Sequence, residues 1–199
     1  MLQYPHILGS KFAPIGKPCI AFYKYDGSNL RWEWSPKKGW NKFGTRTHLF
    51  DSTTETYNQA IPLFMNCLGD EIITRVKQIN KKIERITAFT EFFGANSFCG
   101  KHLEGEAKEL RLFDVFLFKK GFIPPKNFVS LFGDLPTSAQ VIYEGDLTLE
   151  FIKKVRDGEF GLNEGVICKG DDFSVKVKTT AYLQKLHEMY GRDWINYAE

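Results

Sequence analysis

The chain has 199 residues, 43% of them apolar and 26% charged, the balance of a soluble globular protein large enough for one sizeable core or two small ones, of which length prefers one. Its formal charge of +3 is too small to demand a nucleic-acid partner, which leaves a local basic patch as the way such a partner would dock. No apolar run approaches a membrane helix, and Met1 to Ser10 lacks the charged-then-apolar order of a secretion signal, so the expectation is a cytoplasmic, membrane-free monomer.

The first third reads as strands. Pro18 to Lys24 is apolar and aromatic, Ser28 to Trp34 alternates, and Trp40 to Thr47 follows a Ser-Pro-Lys-Lys-Gly turn. Leu30, Trp32 and Trp34 share one face of the second strand, with Asn29, Arg31 and Glu33 on the other, the pattern of a half-buried strand. From Asp70 the period changes, and Ile72, Ile73, Val76, Ile79 and Ile83 recur at helical spacing. Between Thr54 and Leu68 a helix would be interrupted by Pro62. Strands resume over Ile86 to Phe93 and Glu109 to Phe118. Asp146 is the expected N-cap of a helix using Leu147, Phe151, Ile152 and Val155 and ending at Gly158. Strands from Gly161 to Lys169 and Phe173 to Lys178 precede a last helix, capped by Thr179 and stopped at Gly191. Its inner side would carry Tyr182, Leu183, Leu186, Met189 and Tyr190. The expected architecture is one α+β domain over 1–199, mostly antiparallel strands flanked by helices.

Cys19, Cys67, Cys99 and Cys168 are scattered, without a CxxC pair, and Cys99 with His102 is half of a metal-site spacing. Small core thiols in a reducing compartment are the expectation. Neither GxxxxGK[ST] nor GxGxxG occurs, which removes P-loop and dinucleotide-fold enzymes.

The strongest local signal is Lys24-Tyr25-Asp26-Gly27-Ser28-Asn29, a lysine ending one strand before a glycine turn opens the next. Such a lysine projects from a strand end, and as a nucleophile it needs nearby cations to disfavour its protonated form. An ordinary surface hairpin has the same Asp-Gly pair. In Ser174-Val175-Lys176-Val177-Lys178 two lysines share one face, suited to a phosphate gaining charge or to plain solvation. Glu164, in Asn163-Glu164-Gly165, would hold a divalent metal or cap a loop. Glu91, among aromatics, needs a partner, either a ribose hydroxyl or an internal arginine. Phe113 offers an aromatic face for a base, although with 18 phenylalanines a core role is the default for each. Lys37, Lys38 and Lys42 with Trp34 and Trp40 make the first hairpin a place for phosphates and stacked bases, or a solvated tip.

Taken in order, these segments resemble the signature motifs of the covalent nucleotidyltransferase superfamily: ATP-dependent DNA ligases, RNA ligases and mRNA capping enzymes. Lys24 comes first, then Arg46 in Gly44-Thr45-Arg46-Thr47, then Glu91, Phe113, Glu164 and the Lys176/Lys178 strand. Asn29, where the DNA ligases and capping enzymes usually carry arginine, makes the lysine motif similar to that of RNA ligases, while Asp26 keeps the acidic residue of the DNA-ligase form. The resemblance implies an ATP-grasp-like ligase catalytic domain with ATP and Mg²⁺ or Mn²⁺ as cofactors. Lys24 would be adenylylated and would also bind ATP. Arg46, Lys176 and Lys178 would hold phosphate oxygens, Glu91 the ribose and Phe113 the adenine. Glu164 with Asp26 would position the metal, and Asn29, Lys37 and Lys38 would meet nucleic acid. AMP would then pass to a 5′-phosphate end of RNA and be displaced by a 3′-hydroxyl. A DNA ligase, a guanylyl-transferring capping enzyme and a non-catalytic nucleic-acid binder are the alternatives. Only residues 179–199 follow Lys178, whereas the relatives carry an OB-fold or helical domain there, so either a minimal ligase or a chain without that domain is expected.

Overall fold

The computed structural model describes residues 1–95 and 105–198. In chain order the strands and helices are β1 (Leu8–Gly9), β2 (Pro18–Lys24), β3 (Ser28–Ser35), β4 (Gly39–Gly44), β5 (Leu49–Phe50), α1 (Ala60–Phe64), α2 (Asp70–Ile79), β6 (Ile86–Phe93), β7 (Glu109–Leu117), β8 (Gly121–Phe122), α3 (Pro125–Phe132), β9 (Val141–Asp146), α4 (Leu149–Arg156), β10 (Gly165–Lys169), β11 (Ser174–Lys178), α5 (Thr180–Tyr190) and α6 (Ile195–Ala198). The class is α+β, with antiparallel pairing throughout except for β1 beside β11. The described residues fall into two compact units, one of residues 1–4, 27–95 and 105–139, the other of residues 5–26 and 140–198. Among the described residues no helix is long and apolar enough to cross a membrane.

The first unit holds a six-stranded sheet in the order β5-β4-β3-β6-β7-β8. Trp32 anchors its core. The indole stacks on Phe64 at 4.1 Å and donates to Thr90 Oγ1 at 2.9 Å, so its polar atom is satisfied inside the apolar layer. Pro62 does not break the helical segment. It lies in the first turn of α1, where a missing N–H costs no hydrogen bond, and a π-helical turn over Met65–Gly69 carries the chain on into α2. Strand β3 is buried on both faces rather than one, because Arg31 (4% exposed) and Glu33 (5%) are covered as well as Leu30 and Trp32. The N-terminal residues account for this. Arg31 donates to the carbonyls of Met1 (3.2 Å) and Leu2 (3.1 Å), and the amino terminus lies 3.9 Å from Glu33. Helix α3 in this unit and strand β9 in the second are elements that the expected order lacks. Arg75 ties α2 to the end of α3 through the Leu131 carbonyl and Asp134.

The second unit holds a five-stranded sheet in the order β1-β11-β10-β2-β9. Cys19, Ala21, Val166, Cys168, Val175 and Val177 line one face and pack with Leu147, Phe151, Ile152 and Val155. The cap of α4 is Thr148, not Asp146. Its hydroxyl accepts from Phe151 N at 3.0 Å, while Asp146 is spent as the last residue of β9. Strand β10 starts at Gly165 and not Gly161, whose φ of +66 leaves the extended region. Thr179 does cap α5, accepting from Tyr182 N at 3.2 Å, and Gly191 (φ +54) ends it, although Met189 is 53% exposed rather than inward. Cys19, Cys67 and Cys168 are free thiols, Cys67 on the surface and the other two in the core. Cys99 and His102 lie outside the described residues.

Candidate active site

In the second unit, register brings three strand ends together. Gly165 pairs with Lys24 on one side and Lys178 on the other, so the end of β2, the start of β10 and the end of β11 form one row. The two-residue period then puts Phe22, Lys24, Ile167, Lys169, Lys176 and Lys178 on the face opposite the apolar layer of α4. Gly165 is required in the row. Its φ is +150, and a Cβ there would sit 2.0 Å from the Val177 carbonyl oxygen.

Glu164, 3% exposed, is the centre of the charge arrangement. One carboxylate oxygen, Oε1, lies 2.7 Å from Lys24 Nζ and 3.1 Å from Lys178 Nζ. Lys178 is itself buried and also donates to the Tyr197 carbonyl at 2.7 Å. Its ammonium is held below the usual lysine range, chiefly by burial, with Lys24 adding repulsion and Glu164 opposing both. The side chain of Lys24 is 21% exposed, so the end of the row is open at the lysine and closed at Lys178.

Helix α5 braces this cluster from its first turn. Thr179 N donates to the Glu164 carbonyl at 2.9 Å. Buried Tyr182 donates its hydroxyl to Asp26 Oδ1 at 2.9 Å, and its ring lies 4.8 Å from Lys178 Nζ. Tyr23 accepts from Asn163 N at 3.3 Å, and its phenol is raised by burial and by the Tyr25, Glu164 and Asp26 charges. Tyr182 and Lys169 were not singled out by sequence. Tyr182 read only as an apolar helix position. Lys169 is 7% exposed at the end of an otherwise apolar β10, with Nζ 5.4 Å from the Phe22 ring, and a lone cation in such a strand was the available signal. Lys176 is half-buried, two residues along the strand from Lys178 and in register with Ile167.

The remaining residues lie in the first unit. The chain crosses from one unit to the other at Asp26–Gly27, inside the lysine hexapeptide. Gly27 admits no side chain, since a Cβ would meet the Phe92 carbonyl oxygen at 2.4 Å. Asn29, Glu91 and Arg111 form a row across β3, β6 and β7, and Asn29 Oδ1 is buried with no hydrogen-bond partner among the described residues. Arg111 Nη2 pairs with Glu109 at 2.5 Å. Phe113 occupies a β-bulge on β7, half-buried, with Tyr4 edge-on at 5.1 Å and Phe89 at 6.4 Å. Tyr4 in turn donates to Asp114 at 2.8 Å. Arg46 is exposed on a turn closed by Thr45 N to His48 O at 2.8 Å, which is why β4 stops at Gly44 instead of running to Thr47. Buried Arg31 steadies that turn through the Thr45 carbonyl at 2.7 Å. Lys37 and Lys38 are exposed on the β3–β4 turn. Trp40 is committed to the fold: its indole donates to the Gly69 carbonyl at 3.1 Å and packs on Phe64.

Replacing Glu164 by Gln would leave two ammonium groups facing one another without the shared carboxylate. Because Lys178 cannot reach water, Glu164→Gln is expected to destabilise the protein by about 3 kcal/mol. Chemical denaturation would measure this, and an unchanged midpoint would show that the carboxylate does not bridge the lysines.

No protein-family model and no curated protein sequence matches the chain. Among solved structures the α+β fold of this chain is shared with RNA ligases. The particular neighbours are structures of Naegleria gruberi RNA ligase variants. One without ligand superimposes with a TM-score of 0.69 at 18% identity, over 93% of this chain and 58% of that one. Another, with AMP and Mn, gives 0.68 at 18% identity with the same coverage, and a third, with ATP and Mn, gives 0.62 at 18% over 86% and 52%. The chain thus spans a little over half the length of those ligase chains.

Proposed function

We propose that the chain is the catalytic part of an ATP-dependent RNA ligase and that Lys24 is its nucleophile. The observation that carries this reading is the single carboxylate of Glu164 shared by Lys24 and Lys178 at the meeting of three strand ends. The neutral Lys24 amine attacks the α-phosphorus of ATP through Nζ, and the bond to the pyrophosphate oxygen breaks as pyrophosphate leaves. A lysyl-AMP phosphoramide forms as the nitrogen gives up one proton to solvent and keeps the other. AMP then passes to a 5′-phosphate end, and a 3′-hydroxyl displaces it. Each displacement is in line at phosphorus, so the protein contributes position and positive charge.

Two buried carboxylates, Glu164 and Asp26, suit a Mg²⁺ or Mn²⁺ ion that takes its other ligands from the polyphosphate and water. Among the described residues no group of three or more His, Cys, Asp or Glu side chains gathers for an all-protein site. Such an ion would supply charge to the phosphate and compete with Lys24 for Glu164. Lys178 is a cationic neighbour of Lys24, and their repulsion favours the neutral, attacking amine. Lys176 and Arg46 hold further phosphate oxygens, Glu91 the ribose hydroxyls and Phe113 the adenine face. Asn29, whose buried carbonyl has no hydrogen-bond partner among the described residues, contacts the nucleic acid.

The test is incubation with Mn²⁺ and either ATP or GTP labelled at the α-phosphate, followed by denaturing electrophoresis. Label from ATP alone is expected, and no covalent label would end the reading. Label from GTP would move it to capping-type transfer. Nicks with terminal ribonucleotides should be sealed faster than all-DNA nicks, and the reverse would mark a DNA ligase.

A further inference from the structure

At the end of the six-stranded sheet away from the Asn29–Glu91–Arg111 row, three connections leave side by side. Trp34 pairs with Ile86, and Ile86 with Leu117, so the β3–β4 turn, the segment before β6 and the β7–β8 turn emerge along one line. They carry Lys37 and Lys38, then Lys81, Lys82 and Arg85, then Lys119 and Lys120, and all six lysines are exposed. Glu84 is the one carboxylate in residues 35–39, 80–85 and 118–121.

The last two segments are joined directly. Phe118 N donates to the Arg85 carbonyl at 3.1 Å, the Arg85 guanidinium lies 4.0 Å from the centre of the Phe118 ring, and Lys119 Nζ is 3.0 Å from Glu84. Phe118 is 37% exposed, so a flat apolar side chain stands among the cations. Lys119 has φ +64, a left-handed conformation that favours glycine, yet a cation occupies it.

We propose that this rim holds the ribose-phosphate backbone of the RNA substrate away from the join. The inference rests on the RNA-ligase reading. Exposed lysines on three turns suit a run of phosphates, which they contact as point charges without reading sequence. The Phe118 ring, with Arg85 over it at 4.0 Å and Lys119 at 5.3 Å, holds those two cations together on the rim. Asn29 and Trp34 are five residues apart on β3, so the rim lies roughly 17 Å along the strand from the Asn29 row. RNA bridging that span contacts the protein over several nucleotides on one side of the break.

The experiment uses the full chain and a fluorescent nicked RNA duplex, with anisotropy read across a salt series. The variants are Lys81→Glu with Lys82→Glu, Lys119→Glu with Lys120→Glu, and the same four lysines changed to Gln. At constant salt the four-lysine variant should bind at least ~10-fold more weakly, and the slope of log affinity against log salt should fall by about 0.9 for each lost phosphate contact. Covalent labelling by ATP should stay at the parent level, since these residues lie outside the nucleotide site. Unchanged affinity and slope would overturn the rim, as would a parent protein that labels itself but binds no RNA. Loss of RNA affinity in the variants of a protein that never labels itself would support the rim and instead remove the ligase reading.

Discussion

Lys24→Ala should carry no covalent AMP after incubation with ATP and metal, while folding as stably as the parent. The attacking atom is removed, and its nearest relative cannot replace it. Lys178 lies two strands away, roughly 10 Å at the backbone, and is buried against Glu164, the Tyr197 carbonyl and the Tyr182 ring. Stability should change by less than about 1 kcal/mol, because Glu164 keeps its pair with Lys178 and Lys24 is the more exposed partner. Intact-mass measurement with a thermal melt decides the matter. A labelled Lys24→Ala protein would dismiss the nucleophile assignment, and an unlabelled but unfolded one would be replaced by Lys24→Met to separate chemistry from folding.

Lys178→Met and Lys176→Met should separate two lysines that the sequence places on one face. Lys178 touches Glu164 and repels Lys24, so its loss is expected to slow adenylylation at least ~100-fold, the scale of one preorganised charge contact. The pH dependence of the step should also move upward, since Lys24 loses the neighbour that disfavours its protonated form. Half-buried Lys176 lies two residues along the strand from Lys178 and is the less buried of the two, so a smaller loss and a smaller move of the pH profile are expected.

The sequence leaves both lysines suited to a phosphate or to plain solvation, but the structure buries Lys178. Its folded pKa is depressed below 10.5, so the unfolded chain binds more protons in the interval beneath that value. The cost of the buried ammonium is therefore full at lower pH and relieved as pH rises through the depressed folded pKa. Lys178→Met should be as stable as the parent or more so near neutrality, and should flatten the alkaline rise. Equal rates for both variants, or a melt that collapses only for Lys178→Met, would show that the lysine is structural.

Local pattern was enough for the elements whose order follows chain-adjacent chemistry. The alternation of β3, the apolar run of β2 and the Thr179-to-Gly191 helix each follow from neighbours a few residues apart. The lysine hexapeptide, the Glu-Gly pair and the Lys-x-Lys strand were legible as well, because a charge set against strand period is visible without knowing what lies opposite.

What pairs with what was decided only by tertiary structure. Pro62 is harmless because the helix begins just before it. Arg31 and Glu33 are buried because the N-terminal residues cover their face, and Trp40 is consumed by a bond to Gly69. The row of Lys24, Gly165 and Lys178 joins residues more than 140 positions apart in the chain, and strand register set it. So did the placing of Tyr182 on Asp26 and of two ammonium groups on one oxygen of Glu164. The physical reason is that residue type and period set which face a side chain takes, whereas the electrostatics of a site depend on distances between strands that only the assembled sheet defines.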